Sequence, residues 1–227
     1  MKPNSTQSRS ISHRSLHAVI CLLWLCCAGG CALFPQRDDP VRFYVLSSPG
    51  AVVSATAGSP TTRWNATVQF VSLPEYLRNR AMAVRTGPNA VRFAEYECWG
   101  EPLDRGIARV LEESIALVLS RRMTESAAGK PEDDASRYSV SVRVLACEGV
   151  VAGASAGSIQ FKASWEVRTD GGGAQFVQAG DFIAKPAGWD GRDYARLAGL
   201  LSDAVGGLGK EVGLALRLET HVPGTNK

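Results

Sequence analysis

Between Ile159 and Val167 the chain alternates without a break: Ile159, Phe161, Ala163, Trp165 and Val167 are separated by Gln160, Lys162, Ser164 and Glu166. Side chains on a strand point to opposite faces with period two, so this run predicts a strand with one buried face and one wet face. A sheet of that kind needs a second layer on its apolar side only. The same pattern recurs upstream, where Val140, Val142, Val144 and Ala146 alternate with Ser141, Arg143 and Leu145.

Further strands read at Val41–Leu46, Thr67–Val71 and Phe176–Ile183. The segments Ala83–Arg85 and Ala90–Ala94 flank Thr86-Gly87-Pro88-Asn89, a turn-rich tetrapeptide, and predict a hairpin. Two segments carry helical spacing instead. Leu103, Ile107, Val110, Leu111, Ile115 and Val118 form one apolar stripe, with Pro102 at its entry where a missing N–H costs nothing. Leu197, Leu200, Leu201, Ala204, Val205, Leu208 and Val212 form the other, with Asp190 as the expected cap. That second stripe contains Gly206, Gly207, Gly209 and Gly213, each weakening a helix by up to ~1 kcal/mol relative to Ala. Either packing offsets them or the helix breaks there. Polar stretches at 49–62 and 123–137 read as loops. The element order predicts an α+β fold: a two-layer sandwich with a mostly antiparallel sheet and two main helices packed on one face.

The N-terminus reads differently. Residues 1–17 are polar and basic with no acid, and Ala18–Cys27 is an apolar run too short for a comfortable membrane span. Ala28-Gly29-Gly30 then precede Cys31. The pattern resembles a bacterial lipobox, with Ala28 where Leu is usual. It implies a signal peptide over 1–30, a lipid on Cys31, and a short tether over 31–40 built around Pro35 and Pro40. An uncleaved anchor helix and cleavage without lipidation are the alternatives. Residue 32 is Ala and not Asp, which by resemblance to Gram-negative lipoprotein sorting implies the outer membrane. The domain proper is expected over 41–217, followed by a tail over 218–227.

Removing Lys2, Arg9 and Arg14 leaves 22 basic residues (25 − 3) against 22 acidic ones. A neutral domain without a basic stripe is a poor nucleic-acid binder, because affinity there comes mainly from phosphate neutralisation. Two cysteines remain after the lipobox, Cys98 and Cys147. In an oxidising compartment they either pair as a disulfide or sit apart as small apolar side chains.

Catalytic constellations are missing from the sequence. The one histidine after Cys31 is His221, in the polar tail, so a Ser-His-Asp triad or a histidine-rich metal site has no core histidine to use. Gly206-Gly207-Leu208-Gly209-Lys210-Glu211 fails as a phosphate loop: residue 204 is Ala and Glu211 stands where Ser or Thr would bind magnesium. The acid pairs Glu95/Glu97, Glu112/Glu113 and Asp133/Asp134 read as solvated faces. No enzyme activity, cofactor or metal is expected.

Two stretches stand out in composition: Leu73-Pro74-Glu75-Tyr76-Leu77-Arg78-Asn79-Arg80, and Tyr96-Glu97-Cys98-Trp99-Gly100-Glu101-Pro102-Leu103. Together with Phe43-Tyr44-Val45-Leu46 soon after Cys31, they resemble the PqiC-like ABC-transport auxiliary lipoproteins. That family has a Leu-Pro-x-Tyr-Leu element and a Trp-x-Glu-Pro-Leu element in this order. The resemblance spans 31–215 and is most specific over 68–120. The chain departs from the family at Cys98, where a polar residue is usual, and at Arg78–Ala81. The resemblance implies a lipoprotein on the inner face of the outer membrane, partnered with a periplasmic MCE-domain protein that forms a lipid tunnel, and able to form a homo-oligomeric ring. Tyr76, Trp99, Glu101 and Pro102 are the candidate partner-binding residues. Each also has a structural reading, Trp99 as a core anchor and Glu101 as a complement to the helix N-terminus. A stand-alone carrier of lipid or another hydrophobic ligand is the competing function, and it requires an apolar cavity between sheet and helices. A purely structural envelope lipoprotein is the third.

Overall fold

The computed structural model describes residues 40–48, 65–125, 137–151, 157–169 and 175–219. The expected signal peptide, Cys31, the tether before Pro40, the loop at 49–62 and His221 lie outside the described residues.

The clean alternation becomes the centre of the sheet. β5 (Arg137–Val150) and β6 (Gly157–Thr169) run antiparallel over almost their full length. On β6 every odd residue from Gly157 to Val167 is buried and every even one is partly exposed. Antiparallel β7 (Gln175–Ile183) closes this side, and a short β8 (Gly188–Trp189), absent from the sequence reading, also pairs with β6. On the other side β3 (Ala81–Gly87) and β4 (Ala90–Trp99) form the expected hairpin around Pro88-Asn89. β1 (Arg42–Tyr44) adds to β4 in parallel. The order is β1-β4-β3-β5-β6-β7, mixed overall, with the longest pairings antiparallel.

β2 (Asn65–Ser72) and β3 share one edge of β5. β2 lies parallel to its first half, from Arg137 to Arg143, and β3 lies parallel to its end, at Gly149 and Val150. The chain between them, Leu73–Arg80, therefore interrupts the sheet. It forms a 3-10 turn at Glu75–Arg78, entered through Pro74.

Two helices supply the second layer. α1 (Leu103–Glu125) runs past Met123 into what read as a loop, and α2 (Tyr194–Glu219) is unbroken despite its glycines. Close approach explains two of those glycines. A Cβ on Gly209 would lie 2.5 Å from the Ser114 Cβ and 3.3 Å from the Leu111 carbonyl, and one on Gly213 would lie 2.9 Å from the Val118 Cβ. The glycines let α1 and α2 touch backbone to side chain, so interhelical packing offsets their low propensity. Leu197, Leu201, Val205, Leu208 and Val212 of α2 are 0–1% exposed and join Ile107, Val110, Leu111 and the odd residues of β6 in one core.

Two expectations are corrected. Asp190 does not cap α2. Its Oδ1 accepts from the backbone N–H groups of Arg192 and Asp193, forming a turn at 190–193, and Asp193 is the cap, accepting from the Arg196 N–H at 2.9 Å. Those backbone donors hold the Asp190 carboxyl below its usual pKa. Cys98 and Cys147 are not bridged; both are free thiols, the first half-buried and the second buried. The reason is topological. Cys98 is on β4 and Cys147 on β5, and β3 runs between them. Two strand spacings of ~4.8 Å put their Cα atoms beyond the ~7 Å a disulfide can span. Burial, then the neighbouring Glu148, push the Cys147 thiol up to about 12.

Candidate functional site

The two stretches singled out in the sequence, 25 residues apart from Pro74 to Trp99, meet in space. The Trp99 N–H donates to the Arg80 carbonyl at 2.7 Å, and the Gly100 N–H donates to the Tyr44 carbonyl at 2.7 Å. These bonds extend the β4 edge past the last strand residue and lock three segments together. Arg78, Asn79 and Arg80 from one stretch and Trp99, Glu101 and Pro102 from the other line a surface concavity of about 360 Å³. A smaller one, about 170 Å³, adjoins it between Val71, Leu73, Arg78 and Pro102–Asp104.

Within the first stretch Leu77 and Tyr76 divide the work. Leu77 is 3% exposed and belongs to the core. Tyr76 turns toward a buried ion pair that the sequence reading missed. Glu148 is 0% exposed, and its Oε1 accepts from Arg85 Nε at 2.5 Å. Arg85 also donates from Nη1 to the Pro88 carbonyl at 3.2 Å, which ties the pair to the β3–β4 turn. Burial first, and Glu148 second, push the Tyr76 hydroxyl up to about 12. The Tyr76 hydroxyl and Glu148 Oε2 are buried with no hydrogen-bond partner among the described residues. A buried carboxylate is costly unless paired, so Arg85 and Glu148 behave as one unit.

Why the pair falls here follows from register. β5 has an irregularity between Val144 and Ala146, leaving Leu145 exposed. After it, Cys147 pairs with Phe161 on the helix side, which places Glu148, opposite Gln160, on the helix-free side. The 3-10 turn supplies Tyr76 over that position. The alternation of 140–146 stops short of Glu148, and nothing local marks a buried acid.

In the second stretch, Trp99 is 5% exposed, the core position of its structural reading. Glu101 Oε1 accepts from Arg109 Nη2 at 2.6 Å, and the same nitrogen donates to the Leu46 carbonyl at 2.7 Å. Leu46 is 1% exposed, and the next residue, Ser47, donates its N–H to Ser202 Oγ of α2 at 3.0 Å. Glu101 thus bonds through Arg109 to α1 and to the non-strand segment that follows β1. Pro102 begins α1, its carbonyl accepting from the N–H groups of Arg105 and Gly106.

A separate, larger concavity of about 480 Å³ opens on the helix-free face of the sheet. Phe70, Ser72, Ser141, Arg143, Ser164 and Asp181 contribute to its lining. It is a dish in the sheet surface and not a space between the layers.

Among the described residues no group of three His, Cys, Asp or Glu side chains gathers as a metal site. No described helix is long and apolar enough to cross a membrane. The arrangement is that of an α+β scaffold with a surface concavity shaped by the two stretches.

Comparison with known proteins gives that scaffold a family. Residues 44–213 match the ABC-type transport auxiliary lipoprotein component family, and the chain belongs to it. The fold is shared with a crystal structure of an uncharacterized protein, at 15% identity and a TM-score of 0.56, over 77% of this chain and 97% of that one. It is shared equally with protein XCC0632 from Xanthomonas campestris, of family DUF330, at 14% identity and a TM-score of 0.55, over 80% of this chain and the whole of that one. No curated protein matches the sequence.

Proposed function

We propose that this chain is a docking subunit of a trans-envelope lipid transport system. A signal peptide over 1–30 delivers it, a lipid on Cys31 holds it to the periplasmic face of the outer membrane, and the domain over 41–217 receives a periplasmic MCE-domain tunnel protein. The observation that carries this reading is the convergence of the two family elements, 73–80 and 96–103, on one surface concavity with exposed Arg78 and Asn79 at its rim. Interfaces favour arginine and rigidly held loops over long mobile ones. Within that surface Glu101 and Pro102 are the candidate contacts. Trp99, and Tyr76 with its hydroxyl buried, shape the loops from beneath.

The carrier reading needs an apolar cavity between the layers. That space is filled by the buried leucines of α2, so no observation favours it.

The test is affinity purification of the full-length protein from gently solubilised envelope, with partners and lipids identified by mass spectrometry. Recovery of an MCE-domain protein is the expected result, and the mass of that complex reports whether copies of this chain form a ring. Recovery of the chain alone, with or without lipid, contradicts the docking role.

A further inference from the structure

β1 leaves apolar side chains in water although the domain has a well-filled core. Register assigns their face. Tyr44 pairs with Trp99, which is buried in the core, so Phe43, paired with Cys98, points to the opposite side of the sheet, as does Val45. Cys98 pairs in turn with Ala81, and Ala83, two residues on along β3, pairs with Phe93, on that same helix-free side. The register shifts between the Phe93 and Cys98 pairings; past that shift Glu97 accepts from Tyr44 on the Trp99 side, so its neighbour Tyr96 points away from the helices. Phe43 is 52% exposed, Val45 55%, Tyr96 44% and Phe93 41%. The Arg80 guanidinium lies 4.7 Å above the Phe43 ring. These are three exposed aromatics and a valine on β1 and β4, with a cation stacked on Phe43. Farther along the same face the exposed Phe70 lines the polar dish of Ser72, Arg143, Ser164 and Asp181, and Phe176 and Ile183 are exposed on β7.

We propose that this helix-free patch on β1 and β4, formed by Phe43, Val45, Phe93 and Tyr96 under Arg80, rests on the lipid bilayer to which the N-terminus is anchored. The inference rests on the lipid-anchor reading of Cys31 and adds a second contact to it. Arg42 lies eleven positions after Cys31, a reach of at most ~40 Å when fully extended, about the diameter of a domain this size. β1 is the element at which that tether enters the domain, and a tether of that length gives its patch a high effective concentration at the lipid surface. The patch is rigidly presented, because β1 is fixed by Tyr44 Oη donating to Glu97 at 2.6 Å and the following residues by Arg109 and Ser202. Its chemistry suits the interfacial zone. Aromatic rings settle at the headgroup level, an arginine above them meets lipid phosphates, and a lipid anchor holds more firmly when a second signal joins it.

The test places an environment-sensitive fluorescent amino acid at position 43, 183 or 214 of the full chain, reconstituted in vesicles of phosphatidylethanolamine and phosphatidylglycerol. Position 43 lies in the patch, Ile183 at the far end of the same face, and Leu214 on α2. Brominated lipids should quench the probe at 43, and iodide should quench it several-fold less there than at 183 or 214. Equal iodide quenching at 43 and 214 overturns the inference. Protection at 43 from both quenchers also overturns it, since a protein surface then covers the patch. The mass of Cys31 is measured on the same sample. A diacylglyceryl group with a wet position 43 sinks this inference and leaves the anchor standing. A missing group with position 43 in lipid sinks the anchor and leaves the patch as a membrane contact in its own right.

Discussion

The two halves of the sheet are built on different rules. β5 through β7 pair in long antiparallel runs, and β6 alternates from Gly157 to Val167 with each odd side chain buried beneath α2. β1 through β4 are short or irregular. Their registers shift between Val68 and Phe70, between Ala81 and Ala83 and between Arg85 and Gly87, and a 3-10 turn interrupts them at Glu75–Arg78. The regular half contributes most of the sheet's core. In the irregular half lie the concavity at 78–80 and 99–103 and the exposed aromatic patch, and the buried Arg85–Glu148 contact joins it to β5 just past that strand's own irregularity at Val144–Ala146. Regular pairing fixes where side chains go, and irregularities re-aim them, which is why the concavity and the exposed aromatics gather where the register slips.

The largest expected effect comes from breaking the buried pair that supports the irregular half. Arg85→Met leaves the Glu148 carboxylate buried without its partner, and should cost about 3 kcal/mol, the low end for such pairs because Arg85 is itself a quarter exposed. Denaturant unfolding of the two proteins reads this directly; a cost under ~1 kcal/mol would show that water reaches Glu148. The regular half is challenged by Gly209→Val. Its new side chain meets Ser114 and the Leu111 carbonyl, so a loss of roughly 1–3 kcal/mol is expected in the same assay, with the docking surface intact in what remains folded.

Smaller effects sharpen the contrast. Tyr76 is held neutral up to about pH 12, above its unfolded value near 10. Its contribution is therefore complete below pH 10 and lost as pH rises through 12, so alkaline unfolding of the parent should be steeper over that window than that of Tyr76→Phe. Cys147, pushed up to about 12 and buried, should resist alkylation in the native protein, while half-buried Cys98 reacts; peptide mass spectrometry distinguishes them. Least of all, Asp190→Ala should lower thermal stability at neutral pH, where the lowered carboxyl is ionised and bonded to its two backbone donors. The difference should shrink as pH falls through the native Asp190 value, below about 4, and disappear once the parent carboxyl is protonated too.

The same contrast explains what the sequence could reveal. The α+β sandwich, both helices and the β3–β4 hairpin follow from periodicity, and the α1 stripe from Leu103 to Ile115 is buried as its spacing required. β8 escaped because two residues carry no period, although Trp189 is 2% exposed and its indole donates to the Asp193 carbonyl at 2.7 Å. Asp190 misled because Asp193, three residues on, is an equally good cap and stands directly before the helix. The Cys98–Cys147 pairing failed on strand order, which no local pattern encodes. In the candidate site, Glu101 and Trp99 stood out by composition. Their partner Arg109, one helical arginine among several, did not. Arg85 and Glu148 meet only through a parallel pairing across more than sixty residues, and neither is unusual where it stands.

The docking role is tested most directly by a photo-crosslinking amino acid at Asn79, on the rim of the two-stretch concavity, with Leu214 on α2 as the control, in cells carrying the whole transport system. A covalent adduct with an MCE-domain protein from position 79 and none from 214 is the expected result. Adducts of equal yield from both positions, or none to an MCE-domain protein from position 79, would contradict the docking assignment.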